Sequence, residues 1–493
     1  MDFTEIYKQS SSLVSFSPGT QFILTAIEDR LIVRRTDTLQ IIRTWLLDAS
    51  RSPTHASLTT LKAKSSSLAH LVSTQEAWIS HLGWSCDSEF ILAACAKRGV
   101  VHIKKLQDED WTGRIDCGAE GLVKVKWAPD GRTILCFSEW GLRVTVWSLA
   151  TGAATYIQFP VYPDKGYAFR ADGRYFVLAE RHKSKETLGV YDALDSYKLT
   201  RHFPLPTVSL SSLSLSPTGD HLAVWEGPLE YKLYILNLAG SIIATFSPDR
   251  DPGLGIRCIA WHPNGMFLAV GGWDDKIHIL DNLSWSPTST FELSSKVPNG
   301  VIVWREPSKW LEATEGRGFL SYERLRGPYV IPITKVDVTK PNPKTGTVQM
   351  DWNINGSLLC VRFENVPTAV HIFDFPISSQ CFSPRLRSVL LHARPVQHVR
   401  WNPVRKGNLV LCCGSSSVYT WSNEWLGEGG EEEEIAECIG VPAKKFNTRD
   451  VNWAPDGKGL VLLDRDQYCC AFEVEEDHLA QNEIGTRLYA HEL

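Results

Sequence analysis

The chain has 493 residues, 43% hydrophobic and 22% charged, and carries a formal net charge of −5. It is too apolar for a disordered chain, and its mild acidity creates no field that would gather nucleic acid or an anionic membrane. No apolar run approaches the roughly 18 residues a membrane helix needs, and Met1-Asp2-Phe3-Thr4-Glu5 lacks the basic and apolar regions of a signal peptide.

The 12 cysteines show no CxxC spacing, and Cys95, Cys136, Cys258, Cys360 and Cys412 sit inside strand-like runs. The adjacent pairs Cys412-Cys413 and Cys469-Cys470 would point to opposite faces of a sheet. They read as buried free thiols of a reducing compartment, cytosolic or nuclear.

In chain order, one turn-centred signature returns. An apolar segment ends in an aromatic or Leu anchor, a Pro-x-Gly turn follows, and then a second apolar strand. The anchors are Phe16, Trp84, Trp127, Phe169, Leu215, Trp261, Trp352, Trp401 and Trp453. From Trp84 their spacings are 43, 42, 46 and 46, then 91, 49 and 52. The period is that of a four-stranded propeller blade, a sheet too small to cover its own faces. The unit from Gly255 to Glu292 is the clearest copy, with four short alternating runs joined by Pro, Gly, Asn and Asp turns. The fold class is therefore all-β, a WD-repeat-like propeller of about nine four-stranded blades, with two tandem or open rings as the alternative. The Trp-Asp dipeptide is mostly degraded and no Gly-His pair precedes a copy, so the hydrogen-bonded tetrad of strict WD blades is not expected.

The plan is a closing strand and first blade over 1–49, a Ser/Thr-rich insertion over 50–77, and five blades over 78–295. An insertion over 296–346, three blades over 347–475 and a tail over 476–493 follow. The 50–77 stretch reads as a flexible loop whose Ser52-Pro53 could accept proline-directed phosphorylation. In the longer insertion Val301-Ile302-Val303-Trp304 and Tyr329 to Ile333 look like strands, separated by a polar, irregular 306–327. Gly427 to Glu434 reads as an acidic, solvated loop or a dock for a basic partner. Closure of the ring would pair Asp2 to Lys8 with the last blade.

Catalytic signatures are missing from the sequence. There is no Gly-x-Ser-x-Gly elbow, no phosphate-cradling glycine loop and no His-x-x-x-His pair. His262 and His278 lie on a turn and a strand and are read as ordinary surface or core histidines. No catalytic, cofactor or metal residue is assigned; an enzyme built from residues converging on a central channel is a remote alternative. Charged residues at second-to-third strand connections are more informative, because in a propeller those connections share one rim. Lys97 and Arg98, then Glu180 and Arg181, then Trp225 and Glu226 with Glu230, Tyr231 and Lys232 occupy such places. With Arg143 they form the candidate partner-binding set, in which Trp, Tyr and Arg would be the anchors. On this reading Trp225→Ala with Tyr231→Ala weakens partner recovery and barely moves the thermal midpoint. No basic stripe suits RNA.

The same residues carry a resemblance. Leu142-Arg143-Val144-Thr145-Val146-Trp147-Ser148-Leu149, Lys97-Arg98-Gly99, Leu178-Ala179-Glu180-Arg181, Leu222-Ala223-Val224-Trp225 and Leu229-Glu230-Tyr231-Lys232 resemble the WD-repeat protein number eight family of spindle poles and centrosomes. So do Phe3-Thr4-Glu5 and Asn342-Pro343-Lys344-Gly346, in order along nearly the whole chain. The insertion at 50–75, the Glu431 to Glu434 loop and the 306–327 stretch depart from it. The resemblance implies a non-enzymatic scaffold in the cytoplasm, at the spindle pole body or centrosome. There it would bind a coiled-coil anchoring protein, work with a minus-end-directed kinesin and help tether microtubule minus ends in mitosis. It implies no cofactor, nucleic acid or membrane, and leaves the oligomeric state open. An adaptor in a ubiquitin ligase or a translation complex is the other reading.

Overall fold

A computed structural model describes residues 1–48, 78–250, 253–314, 316, 318–325, 328–337, 343–376, 383–426, 432–443 and 445–473. The Ser50–Gln75 insertion, residues 427–431 of the acidic loop and the 476–493 tail lie outside them. Among the described residues the strands gather into nine blade sheets and one two-stranded pair, antiparallel except where a strand is added to blade seven: blades one (14–46), two (81–116), three (124–158), four (167–204), five (210–246) and six (256–292), then seven (347–391), eight (398–440) and nine (450–472). Second strands such as Phe90–Cys95 are buried at every residue, whereas fourth strands such as Thr112–Asp116 are largely exposed. A strand covered on both faces reads as an unbroken apolar run. The described cysteines are free thiols, mostly buried.

The signature turn works by local chemistry. Where the residue before its glycine is Asp or Asn, the side chain accepts the amide two residues on: Asp130 from Arg132, Asp172 from Arg174, Asn264 from Met266 and Asp456 from Lys458, each at 3.0 Å. Gly131 follows at φ 63°, where a Cβ would be strained.

Each anchor is the last residue of its blade's first strand. Five anchor indoles reach the preceding blade and donate to the carbonyl just before that blade's own anchor. The pairs are Trp84 to Ser15 (3.4 Å), Trp127 to Gly83 (3.2 Å), Trp352 to Ala260 (3.1 Å), Trp401 to Asp351 (2.8 Å) and Trp453 to Arg400 (3.2 Å). Between every pair of neighbouring blades lies a buried apolar cluster. The series closes on itself, since Val14, Phe16 and Ile23 of blade one pack with Val461, Leu463 and Tyr468 of blade nine.

Blade nine supplies only three strands of its own. Asp2–Phe3 adds the fourth, antiparallel to Gln467–Phe472, and Tyr7–Lys8 pairs further along the same strand. The Gln9 amide then donates to the carbonyls of Asp464 (2.8 Å) and Arg465 (3.1 Å).

The described residues of the 306–325 stretch form regular elements where the sequence suggested irregular chain. Ile302–Arg305 runs parallel to Arg385–Leu391 on the outside of blade seven, and Glu323–Leu325 pairs with it, making that sheet six-stranded. Phe319–Ser321 pairs with Glu432–Gly440 and gives blade eight a fifth strand. Tyr329–Val330 pairs with Lys296–Val297 and extends less far than expected. The insertion is thus a clasp over two blades, and Trp304, Trp310 and Tyr322 enter the core between them. Nor is Glu434 solvated: it is buried in strand Glu432–Gly440 and accepts from the Ser388 hydroxyl (2.6 Å) and the Trp304 indole (3.3 Å).

If the indole bonds hold successive blades, Trp127→Phe should lower the stability of the ring by about 2 kcal/mol, combining a lost buried hydrogen bond with lost ring volume. A urea midpoint followed by circular dichroism measures this, and a midpoint equal to wild type would dismiss the bond as incidental.

Candidate protein-binding rim

In each blade the start of the first strand, the second-to-third turn and the end of the fourth strand share one rim, because the strands alternate in direction. All the candidate residues lie on this rim, in blades two to five. Their environments differ sharply. Lys97 is exposed and Arg98 half-buried in a single 3-10 turn, Ala96–Arg98, ended by Gly99 at φ 68°. Arg143 opens its strand, paired with Glu120 and with its guanidinium 4.2 Å from the centre of the Tyr156 ring. Glu180 and Arg181 sit inside strand Tyr175–His182 and do not follow it. Arg181 is exposed and pairs with Glu186 at 3.2 Å. Glu180 is buried, accepts from the Tyr191 hydroxyl and faces His202 at 3.3 Å; its burial raises its pKa. Glu230 and Lys232 are exposed and pair with each other at 2.7 Å.

Trp225 and Tyr231, the expected aromatic anchors, are only 7% and 3% exposed. They pack with Phe246 of their own blade and with Ile256 and Trp285 of the next, so their rings are committed to the joint between blades five and six. Glu226 is buried as well, and its carboxylate accepts the amides of Val208 and Ser209, both at 3.0 Å.

That last contact recurs around the rim. Glu186 accepts from the Thr207 hydroxyl (2.9 Å) and the Leu210 amide (2.8 Å). Asp275 accepts from the Gly346 amide (2.7 Å), the Thr345 hydroxyl and the Asn365 amide group. Asp464 accepts from the Asn447 amide at 3.0 Å. Carboxylates near the second-to-third turn therefore grip the loop by which the chain enters a blade. Each loop amide so held is spared the cost of burial without a partner.

Two exposed aromatic side chains of blade three were missed from sequence. Trp140 is 89% exposed in the turn between the second and third strands of blade three, and Phe159 is 50% exposed at the exit from that blade. Leu142 stands exposed beside them. Both aromatic residues hold left-handed backbone, φ 61° and 60°, which is strained for bulky side chains. Backbone bonds fix Phe159 on both sides: its N–H donates to Leu142 O of its own blade (3.0 Å), and Arg181 N of blade four donates to Phe159 O (2.8 Å). The Phe159 ring lies 6.4 Å from that of His182. There the hairpin of Tyr175–His182 and Lys185–Asp192 has eight-residue strands, against five or six for the second and third strands of blades two and three. Its tip carries exposed Arg181, His182, Lys183 and Lys185. An apolar platform flanked by cations thus stands on a frame of hydrogen-bonded backbone. Its only trace in the sequence is an aromatic residue, Trp140, placed in a turn where alternation has stopped.

A family model described as WD domain, G-beta repeat matches residues 240–281. The chain is 31% identical to the WD repeat-containing protein WRAP73 of Mus musculus, over 97% of each chain. It is 20% identical to an uncharacterized WD repeat-containing protein of Schizosaccharomyces pombe, over all of this chain and 97% of that one. Among solved structures, the C-terminal WD40 domain of Sif2 is 12% identical with a TM-score of 0.45, covering 90% of this chain and 99% of that domain.

Because Trp225 and Tyr231 are core residues, their double alanine variant should lose several kcal/mol, about 3–5 for each ring before any coupling. Thermal unfolding checks it; an unshifted midpoint would return both residues to the surface set.

Proposed function

This chain belongs to the WD-repeat protein family that includes mouse WRAP73, and on that premise we propose that it is a non-catalytic scaffold of the microtubule-organising centre. It would reside in the cytoplasm at the spindle pole body or centrosome. There it would bind a coiled-coil anchoring protein and, with a minus-end-directed kinesin, help tether microtubule minus ends as the mitotic spindle is organised. The observation that carries the binding role is the 89% exposure of Trp140 on strained backbone beside Phe159 and Leu142. Exposed aromatics on a rigid frame are the usual energetic centre of a protein interface. A helix laid across a rim would offer its apolar stripe to these residues, and acidic positions flanking the stripe would meet Arg181, Lys183 and Lys185.

Trp140→Gly tests the reading well, because glycine accepts the left-handed backbone without strain. The variant should keep or raise the thermal midpoint while recovery of coiled-coil pole proteins by proximity labelling in dividing cells falls at least about tenfold, as for a hot-spot residue. A wild-type chain that labels ligase or ribosomal subunits in place of pole proteins would refute the pole assignment. Undiminished labelling by the variant would move the contact off this rim.

A further inference from the structure

The outer circumference between blades eight and nine carries a groove of about 910 Å³. Phe319, Trp425 and Ile439 line it from blade eight, and Phe3 lines it from the strand that completes blade nine. Phe319 is 68% and Trp425 49% exposed.

Both walls are sheet edges. On blade eight, the Tyr322 amide donates to Ala436 O and the Gly440 amide to Gly318 O, each at 2.9 Å. Bonded pairs alternate along an antiparallel ladder, so the N–H and C=O groups of Phe319 and Ser321 point away from the blade. On blade nine Asp2–Phe3 is outermost, and the Thr4 amide bonds Cys470 O at 2.9 Å, which turns the backbone groups of Phe3 outward too. Among the described residues neither edge is paired further. Open edges of this kind are templates for an added strand.

The charges on the lining favour a cationic occupant. Glu424, Glu437 and Glu473 face Arg405 and the Met1 amino group. Arg405 is taken up by Glu473 in a bidentate pair of 2.8 and 2.6 Å. Glu424 accepts the Gly407 amide at 2.8 Å. Burial raises the Glu437 pKa, a setting that a nearby cation would relieve.

We propose that this groove binds an extended, lysine- or arginine-bearing segment of a partner protein, which adds a strand at Phe319–Ser321 and seats an apolar side chain against Phe319 and Trp425. The site is separate from the Trp140 rim, so the ring holds two partners, one on its face and one on its circumference. Fluorescence anisotropy of the full-length chain with a labelled decapeptide alternating lysine and valine tests this, with the glutamate–valine peptide as the comparison. The lysine peptide should bind saturably and the glutamate peptide at least about tenfold more weakly. Ser321→Pro removes one outward N–H at an edge position that tolerates proline, and should cost about tenfold in affinity, the worth of one or two hydrogen bonds, with an unchanged thermal midpoint. Trp140→Gly should bind like wild type, which keeps this result independent of the rim. Absence of binding, equal binding of the two peptides, or full affinity in Ser321→Pro would overturn the proposal.

Discussion

The ring depends on a bond between neighbours that five of its nine blades make at the same height. An indole N–H at the end of one inner strand meets the carbonyl just before the equivalent residue of the blade before it. Any one such bond contributes about 1 kcal/mol. Repetition is what matters, because the same register imposed at successive joints leaves little freedom for one blade to slip against the next. The ladder is interrupted where the anchors are Phe16, Phe169 and Leu215, which have no side-chain donor, and at Trp261, whose buried indole nitrogen has no hydrogen-bond partner. At the joint between blades four and five, where Leu215 is the anchor, Glu186 and Glu226 both grip one entry loop, 207–210. Constraint lost near the axis is recovered at the rim, beside the part of the surface where Trp140 and Phe159 are held on strained backbone.

What could be read from the sequence follows the range of the physics involved. The signature turn was legible because its chemistry spans a few residues: an Asp or Asn, a glycine with positive φ, and an apolar run on either side. Blade number followed from counting such turns. The clasp was opaque for the opposite reason. Phe319–Ser321 has no alternation of its own, and its register is set by Ile439, Cys438 and Glu437. Glu434 stands in a run of acids and looked solvated; the groups that bury it, Ser388 and Trp304, lie 46 and 130 residues away.

The candidate rim divides along the same line. Its location was legible, since second-to-third turns must share one end of a propeller. Which aromatics it exposes was not. Trp225 and Tyr231 stand among charges and look like surface anchors, and only the neighbouring blade, with Ile256 and Trp285, takes them inside. Left-handed backbone at Trp140 leaves no mark in composition or period.

Closure of the ring has a consequence for how the molecule is made. The strand that finishes blade nine is synthesised long before its partners: the amide of Cys470 bonds the hydroxyl of Thr4 across 466 residues of chain. At translation rates of about 5–20 residues per second, Asp2–Phe3 waits roughly half a minute to a minute and a half beside the ribosome before its sheet exists. Blades one to eight can form as they emerge, but until then the nascent ring carries an unsealed seam between blades eight and one. Chaperones that shield apolar edges have their longest opportunity there.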